Sequence, residues 1–143
     1  MRNFEVNAAA SVKITHYFLN KMMDKKQKGL IAFTSSSAGF IPNPLAALYA
    51  STKAFLTTFA ASVSAEVKSF GIDVVVVHPS PISSQFYSNA DGMQVLISSA
   101  NFAQPPRVIA DAIFTAAGRF TIVDQVRGSK GVINKQANYP TIL

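Results

Sequence analysis

Apolar residues recur at helical spacing along two long segments of the chain. The first covers about residues 4–23 and predicts a helix with one buried face, whose members are Val6, Ala10, Ile14, Tyr17, Phe18 and Met22. The second covers about residues 48–70, and its predicted core positions are Leu56, Phe59, Val63, Val67 and Phe70. Gly29 is predicted to end the first helix, and Gly71 to cap the second in the left-handed conformation.

Two short and strongly apolar runs, residues 30–34 and 72–78, predict strands that are covered on both faces. Residues 79–104 are weakly patterned, with a short helix predicted only for residues 93–98. The apolar residues between 86 and 97 could line a pocket or pack a lid helix, and packing is slightly favoured. A helix is predicted for residues 105–117 and a third strand for residues 120–123. Strand, helix and strand in this order imply right-handed parallel crossovers, and hence an α/β, doubly wound parallel sheet. The chemistry of such sheets lies beyond the carboxyl ends of the strands.

The composition fits one globular domain and excludes several other classes. The chain has 143 residues, of which 49% are hydrophobic and 14% charged, and this excludes a disordered tail. Because it has no cysteine, a disulfide scaffold and a zinc finger are excluded, and we predict no metal site. No apolar run approaches the roughly 20 residues needed to cross a bilayer, and the start lacks a secretory signal. We therefore expect a cytoplasmic protein with no transmembrane segment in this chain, and a membrane-associated parent protein stays open as the alternative.

The chain is basic, with 13 lysines and arginines against 7 acidic residues and a net charge of +6. Much of the excess lies in residues 21–28, where lysines near a helix end complement the helix dipole and stay solvated. No motif typical of nucleic-acid binding accompanies the charge. We therefore expect no nucleic-acid partner, although a basic nucleic-acid binder stays the least favoured of three functional hypotheses.

Three polar side chains are predicted to meet where the first strand ends and the second helix begins. Ser36 follows the strand, Tyr49 opens the helix, and Lys53 lies one turn later on the same helical face. An ammonium beside a phenol stabilises the phenolate, and so favours proton transfer near neutral pH. A nearby hydroxyl can hold a carbonyl oxygen against that phenol. The set predicts proton transfer to or from a carbonyl or alcohol oxygen while a hydride moves at carbon.

The spacing of this pair recurs at Tyr17 and Lys21. That second pair lies in the middle of a predicted helix, on its apolar face, and no strand-end serine precedes it. We therefore interpret Tyr17 and Lys21 as packing, and Tyr49 and Lys53 as the site.

Three stretches in combination resemble the catalytic half of the short-chain dehydrogenase/reductase family: Thr34–Gly39, Tyr49–Lys53 and His78–Ser84. The resemblance covers about residues 3–123. It implies a partial Rossmann-like doubly wound sheet. It also implies an oxidoreductase that interconverts a carbonyl and an alcohol of a small-molecule substrate, with NADP or NAD as cofactor. The apolar residues between 86 and 97 leave open a lipid-like substrate.

The resemblance also implies roles for individual residues. Tyr49 would be the general acid/base, Lys53 would favour its phenolate form and bind the nicotinamide ribose, and Ser36 would position the substrate carbonyl. Asn7 matches the family's asparagine, which anchors a proton-relay water. The cofactor-binding set would be Tyr49, Lys53, Pro79, Ser80, Ile82 and Ser84.

The sequence departs from the family pattern in two respects. Ser80 stands where the family usually has glycine, and Ser84 replaces the usual threonine. More importantly, no glycine-rich turn for the dinucleotide pyrophosphate is found, so the N-terminal βαβ unit is expected to be missing. We expect residues 1–125 to form the catalytic half of a domain, residues 126–143 to be an unpatterned tail, and the fragment to be inactive alone.

Whether the chain is a gene fragment, a splice product or a relic stays open. A non-catalytic remnant that associates with a full-length relative is the alternative, through the second helix or an open strand edge. A complete protein would be a homo-oligomer by resemblance, and three small residues of the second helix could admit a partner helix: Ala60, Ser62 and Ala65.

Overall fold

The computed structural model describes residues 2–85 and 103–124. Within these residues the strands are β1 (Gly29–Thr34), β2 (Ile72–His78) and β3 (Ile122–Asp124), which form a parallel sheet in the order β1-β2-β3. The predicted α/β architecture with a parallel sheet is confirmed.

The helices flank this sheet. A helical turn at Arg2–Phe4 and a π-helical segment at Glu5–Ala9 lead directly into helix α1 (Ala10–Asp24). Helix α2 comprises Ala47–Val67, and helix α3 comprises Pro106–Ala116, with a proline at its start as predicted. None of the helices in these described ranges is long and apolar enough to span a bilayer.

The core covers both faces of β2, whose residues are buried except for Asp73. One face packs on α2, and its buried members are Phe33, Leu56, Ala60, Val63, Val67, Ile72, Val74 and Val76. The other face packs on α3 and β3, through Val75, Val77, Ala116 and Val123. Each buried valine or leucine contributes about 1.5–3 kcal/mol to folding. Ala60 lies inside this core, so it cannot serve the partner contact suggested by the sequence.

The prediction of which face of the first helix is buried is wrong. Val6, Ile14 and Tyr17 are each more than half exposed, at 61%, 57% and 53%, whereas Ala8 and Thr15 are buried. The 3.6-residue period identifies a helix but cannot tell what lies beside its apolar face. Here that face turns toward the open edge of β1.

An apolar groove of about 360 Å³ runs along that edge between α1 and β1. We call it the β1 groove, and it is lined by Ser11, Ile14, Thr15, Phe18, Met22, Leu30, Ile31, Ala32 and Phe33. β1 pairs only with β2 among the described residues. The prediction that β1 is covered on both faces is wrong, because Ala32 and Thr34 are exposed.

The first helix also ends differently from the prediction. Lys26, not Gly29, takes the left-handed conformation, with φ +50°. Gln27 N–H donates to the Met22 carbonyl at 2.8 Å and Lys26 N–H to the Met23 carbonyl at 3.0 Å, the pattern of a Schellman cap. Gly29 instead opens β1.

The second helix ends as predicted. Its last turn, Lys68–Phe70, is a 3₁₀ turn, and Gly71 follows with φ +70°. The predicted core position Phe70 is nevertheless 49% exposed. The predicted short helix at residues 93–98, the apolar residues 86–97 that could line a pocket or pack a lid, and the tail 126–143 lie outside the described residues.

Candidate active site

The loops that follow β1 and β2 meet at the carboxyl end of the sheet. Ser35 N–H donates to the Val77 carbonyl at 2.9 Å, and Ser37 N–H to the Pro79 carbonyl at 3.5 Å. Ser36 caps the 3₁₀ turn Ser37–Gly39, because its Oγ accepts from Ala38 N–H at 3.1 Å. A hydroxyl that accepts in this way can still donate its own proton to another oxygen.

Gly39 lets this turn lie directly against α2. A Cβ atom at Gly39 would stand 2.9 Å from the backbone nitrogen of Ala54 and 3.0 Å from the carbonyl carbon of Lys53. Only a residue without a side chain allows this approach. The turn that carries Ser36 therefore packs against α2 next to Lys53.

Lys53 joins α2 to the end of β1. Its Nζ donates to the Thr34 carbonyl at 2.9 Å and lies 5.7 Å from the centroid of the Tyr49 ring. Burial lowers the pKa of Lys53 from its ordinary value, because desolvation penalises the ammonium. The predicted pairing of Tyr49 with Lys53 on one helical face is thus present, within reach of a cation–π contact.

The second tyrosine–lysine pair shows that spacing alone does not define this site. Lys21 Nζ lies 4.5 Å from the Tyr17 ring, closer than in the first pair. However, Lys21 is exposed and Tyr17 is 53% exposed, so the interpretation of this pair as core packing is wrong. What distinguishes Lys53 is its strand-end partner and its burial.

Asn7 is brought to α2 from the π-helical segment. Its Nδ2 donates to Thr52 Oγ1 at 3.1 Å, and Thr52 Oγ1 donates to the Tyr49 carbonyl at 2.7 Å. Ser11 Oγ donates to the Asn7 carbonyl at 2.8 Å. π-helical turns inside α-helices occur frequently at functional sites, and this one sets Asn7 beside the turn that holds Tyr49 and Lys53.

The segment after β2 carries the remaining predicted residues, from Pro79 to Ser84. Ile82 pairs with Gln104 in an isolated parallel β-bridge. Ser80 does not adopt positive φ, so a side chain is tolerated where the family has glycine. Its Oγ is buried and has no hydrogen-bond partner among the described residues, whereas the Ser84 side chain lies at the surface.

Sequence reasoning gave no role to His78, the last residue of β2. The structure buries it to 1% exposure, with Nδ1 2.8 Å from Asp124 Oδ1 and Nε2 2.8 Å from Thr57 Oγ1. Burial lowers the pKa of His78, and the neighbouring Asp124 carboxylate opposes part of that effect. The contact with Asp124 depends on the ends of β2 and β3 lying side by side. The sequence alone does not give this alignment.

No three acidic or histidine side chains within residues 2–85 and 103–124 come together as a metal site would require. The polar groups that the described site offers are hydroxyl, phenol and amine groups. These groups exchange protons and bind carbonyl oxygens.

The family model described as short chain dehydrogenase matches residues 1–94. The chain belongs to this family. The match spans the serine turn after β1, the Tyr49–Lys53 pair and the segment after β2, which are the stretches that carried the resemblance.

The relatives of this chain include a very-long-chain 3-oxoacyl-CoA reductase of Coprinopsis cinerea. It is 44% identical over 70 residues, which are 49% of this chain and 20% of the relative. The 17-beta-hydroxysteroid dehydrogenase type 3 of Mus musculus is 41% identical over 78 residues, or 54% of this chain and 25% of the relative. These alignments thus span only a fifth to a quarter of the relatives' length.

A solved structure supports the fold. A 4-hydroxyisoleucine dehydrogenase mutant complexed with NADH and succinate superposes with a TM-score of 0.71 at 19% identity. The match covers 86% of this chain and 56% of that protein. The described sheet is therefore Rossmann-like, and the chain spans about half the length of the solved protein.

Proposed function

We propose that this chain supplies the proton-transferring half of an NAD(P)-dependent oxidoreductase that interconverts a carbonyl and an alcohol. The observation that carries the proposal is the position of the Lys53 amine, which binds the Thr34 carbonyl at the end of β1 beside the Tyr49 ring. A site that transfers protons needs its amine held in a fixed position. A lysine and a tyrosine that only cover the surface would not need a hydrogen bond to the end of a strand.

In the proposed reaction, Tyr49 gives its proton to the substrate oxygen during reduction and takes it back during oxidation. Lys53 stabilises the phenolate that remains, because an ammonium in a partly buried site interacts strongly with a nearby anion. Ser36 donates a hydrogen bond that orients the substrate oxygen toward the phenol. Asn7, anchored on Thr52, would hold the water through which Tyr49 recovers its proton.

The described residues fit one end of a dinucleotide. Ser80 presents a buried hydroxyl with no partner among the described residues, which suits a polar group at the carboxyl end of β2. The residues that would hold the nicotinamide end are Tyr49, Lys53, Pro79, Ser80, Ile82 and Ser84. When bound, NAD(P) accepts or donates the hydride. The turns described after β1 and β2 contain one glycine, Gly39, so the pyrophosphate would need a glycine-rich turn from outside them.

The proposed substrate is a lipid-like carbonyl or alcohol compound. Two similar proteins support this class, because one is named for very-long-chain 3-oxoacyl-CoA and the other for 17-beta-hydroxysteroids. Both names describe large apolar compounds that carry an oxygen at the reacting carbon.

Complementation tests this proposal. The 143-residue chain would be co-expressed with the part of a full-length relative that precedes the matched segment, and NADH or NADPH consumption would be followed with a panel of acyl-CoA and steroid ketones. We expect turnover by the co-expressed pair and none by either piece alone. Robust turnover by this chain alone would contradict the fragment proposal, and a well-formed but inactive pair would contradict the catalytic one.

The second candidate function is a non-catalytic partner of a full-length relative. The β1 groove favours it, because an apolar strand edge without a neighbour among the described residues is a site for pairing with another chain. Co-purification with a tagged full-length relative tests it. Retention on the intact relative, together with no activity in complementation, would favour this candidate over the first.

A further inference from the structure

A chain of polar side chains connects the carboxyl ends of all three strands to the backbone of Lys53. Asp124 of β3 contacts His78 of β2, and His78 contacts Thr57 of α2, each at 2.8 Å. Thr57 Oγ1 lies 3.1 Å from Oγ of Ser35, which follows β1. We call these four residues the strand-end network.

The direction of the hydrogen bonds in this network follows from the charge of the carboxylate. A carboxylate can only accept, so His78 Nδ1 carries the proton that faces Asp124. The two atoms lie at ion-pair distance, 2.8 Å apart, and neither has a hydrogen-bond partner among the described residues. Nε2 is then an acceptor, and the Thr57 hydroxyl donates its single proton to it.

Two hydroxyl groups of the network contact the backbone carbonyl of Lys53. Ser35 Oγ donates to the Lys53 carbonyl at 2.7 Å, and Thr57 Oγ1 lies 3.2 Å from the same carbonyl. The other end of Lys53 returns to the strand, where Nζ donates to the Thr34 carbonyl at 2.9 Å. Two neighbouring residues of one strand end thus hold both the backbone and the amine of Lys53.

We propose that the strand-end network of Ser35, Thr57, His78 and Asp124 positions the Lys53 amine on the Thr34 carbonyl. These four are positioning residues, since they act through Lys53 and not on a substrate. The relevance of the held amine to proton transfer rests on the proposed function, whereas the positioning itself does not.

Burial explains why the network would act as a unit. His78 is 1% exposed and Ser35 3% exposed, so each needs a partner inside the protein. Ser35 and Thr57 have one hydroxyl proton each, which go to the Lys53 carbonyl and to His78 Nε2, so their two oxygens, 3.1 Å apart, are in contact without a proton between them. Loss of the Thr57 hydroxyl leaves Nε2 without a donor, and loss of the Ser35 hydroxyl leaves the Lys53 carbonyl with one contact fewer. A disturbance at His78 would therefore reach Ser35 and the turn that carries Lys53 through a shift of the Thr57 hydroxyl that packs against Ser35.

The test is nuclear magnetic resonance of the full 143-residue chain with ¹⁵N-labelled lysine. The exchange of the Lys53 ammonium protons with water would be measured beside that of Lys21, an exposed lysine that also pairs with a tyrosine on its own helix. In the unmodified chain we expect slower exchange at Lys53, because its amine is hydrogen bonded and partly buried.

Matched substitutions separate the network from general effects. Ser35→Ala should raise the exchange rate at Lys53 toward that of Lys21, whereas Ser37→Ala, two residues later on the exposed side of the turn, should not. Thr57→Val should act like Ser35→Ala, and Thr57→Ser, which restores the hydroxyl, should return the slow rate. Lys21 should not respond to any of the four.

An unchanged Lys53 rate in folded Ser35→Ala and Thr57→Val would overturn the proposal, as would a His78 ring that carries its proton on Nε2. If either of those variants fails to fold, His78→Gln against His78→Leu decides, since the glutamine carbonyl can replace the Nε2 acceptor and leucine cannot. Equal rates in these two variants would also overturn it. No substrate enters this experiment, so its outcome is independent of whether the complemented enzyme turns over.

Discussion

Lys26 occupies a backbone conformation that favours glycine. It has φ +50° at the position after the cap of α1, where a side chain costs about 1 kcal/mol relative to glycine. We expect Lys26→Gly to raise the free energy of unfolding by about that amount in urea titrations. Lys25→Gly is the matched control, because Lys25 has φ −84° and glycine there only adds freedom to the unfolded chain. Stabilisation by both substitutions, or by neither, would contradict this reading of the cap.

The pH dependence of stability should report the burial of His78. An unfolded histidine binds a proton below about pH 6.5, whereas burial lowers the pKa of His78 in the folded state. The unfolded state then binds more protons in this range, so the free energy of unfolding decreases as pH falls from 7 toward 5.

Urea unfolding of two variants over that range checks this expectation. His78→Gln should flatten the slope of stability against pH, whatever its effect on absolute stability. His16→Gln, which changes the chain's other and exposed histidine, should leave the slope as it is. A slope that persists in His78→Gln would show that other groups are responsible.

At the residue level the sequence indicates candidate residues better than it indicates contacts. Ser36, Tyr49 and Lys53, whose roles stay a proposal, could be named because the family pattern that they match has a recognisable spacing along the chain. His78 and Asp124 could not, because they are 46 positions apart in sequence and meet only through strand register. The left-handed conformation of Lys26 could not be predicted either. The position at which the helix ends depends on packing, and a lysine does not indicate a left-handed residue as a glycine does.

Among the elements, the 3₁₀ turn Ser37–Gly39 depends most directly on one glycine. A Cβ atom at Gly39 would stand 2.9 Å from the α2 backbone, so Gly39→Ala must push the turn away. We expect a loss of about 1–3 kcal/mol in the free energy of unfolding, as for overpacked cores. Ser37→Ala, in the same turn but exposed, should change stability little. Equal stability of the two variants would mean that the turn does not press on α2.

Helix α1 shows the limit of prediction at this scale. Its period, and that of α2, were correctly recognised, as was the β2 strand from Ile72 to His78. The side of α1 that is buried was predicted wrongly, because Ile14 and Phe18 line the β1 groove instead of facing the core. Periodicity reports that an apolar face exists, but not whether the element that would cover it belongs to the described chain.

For the whole molecule, the β1 groove predicts self-association of the isolated chain. An open apolar strand edge pairs with other edges unless a charge blocks it. Ala32 is exposed in the middle of β1 and lines the groove. We expect Ala32→Lys to lower the associated fraction seen by light scattering after size-exclusion chromatography. Ala110→Lys adds the same charge on an exposed position of α3 and should leave association unchanged. The same decrease in both variants would point to net charge as the cause.

That the chain spans only part of its relatives was also foreseeable from the sequence, since no glycine-rich turn could be found among its seven glycines. The comparison with a solved dehydrogenase agrees, because this chain covers 56% of it. What the sequence could not supply is the size and lining of the groove, which depend on how α1 lies against β1.

The most direct measurement of the central claim compares two tyrosines in the complementation assay. Tyr49→Phe and Tyr17→Phe remove the same hydroxyl from two tyrosines that each precede a lysine by four residues. We expect Tyr49→Phe to lower kcat by about 10²–10⁴-fold, the range for a lost general acid, while Tyr17→Phe keeps the original rate. Equal rates for the two variants would contradict the assignment of proton transfer to Tyr49.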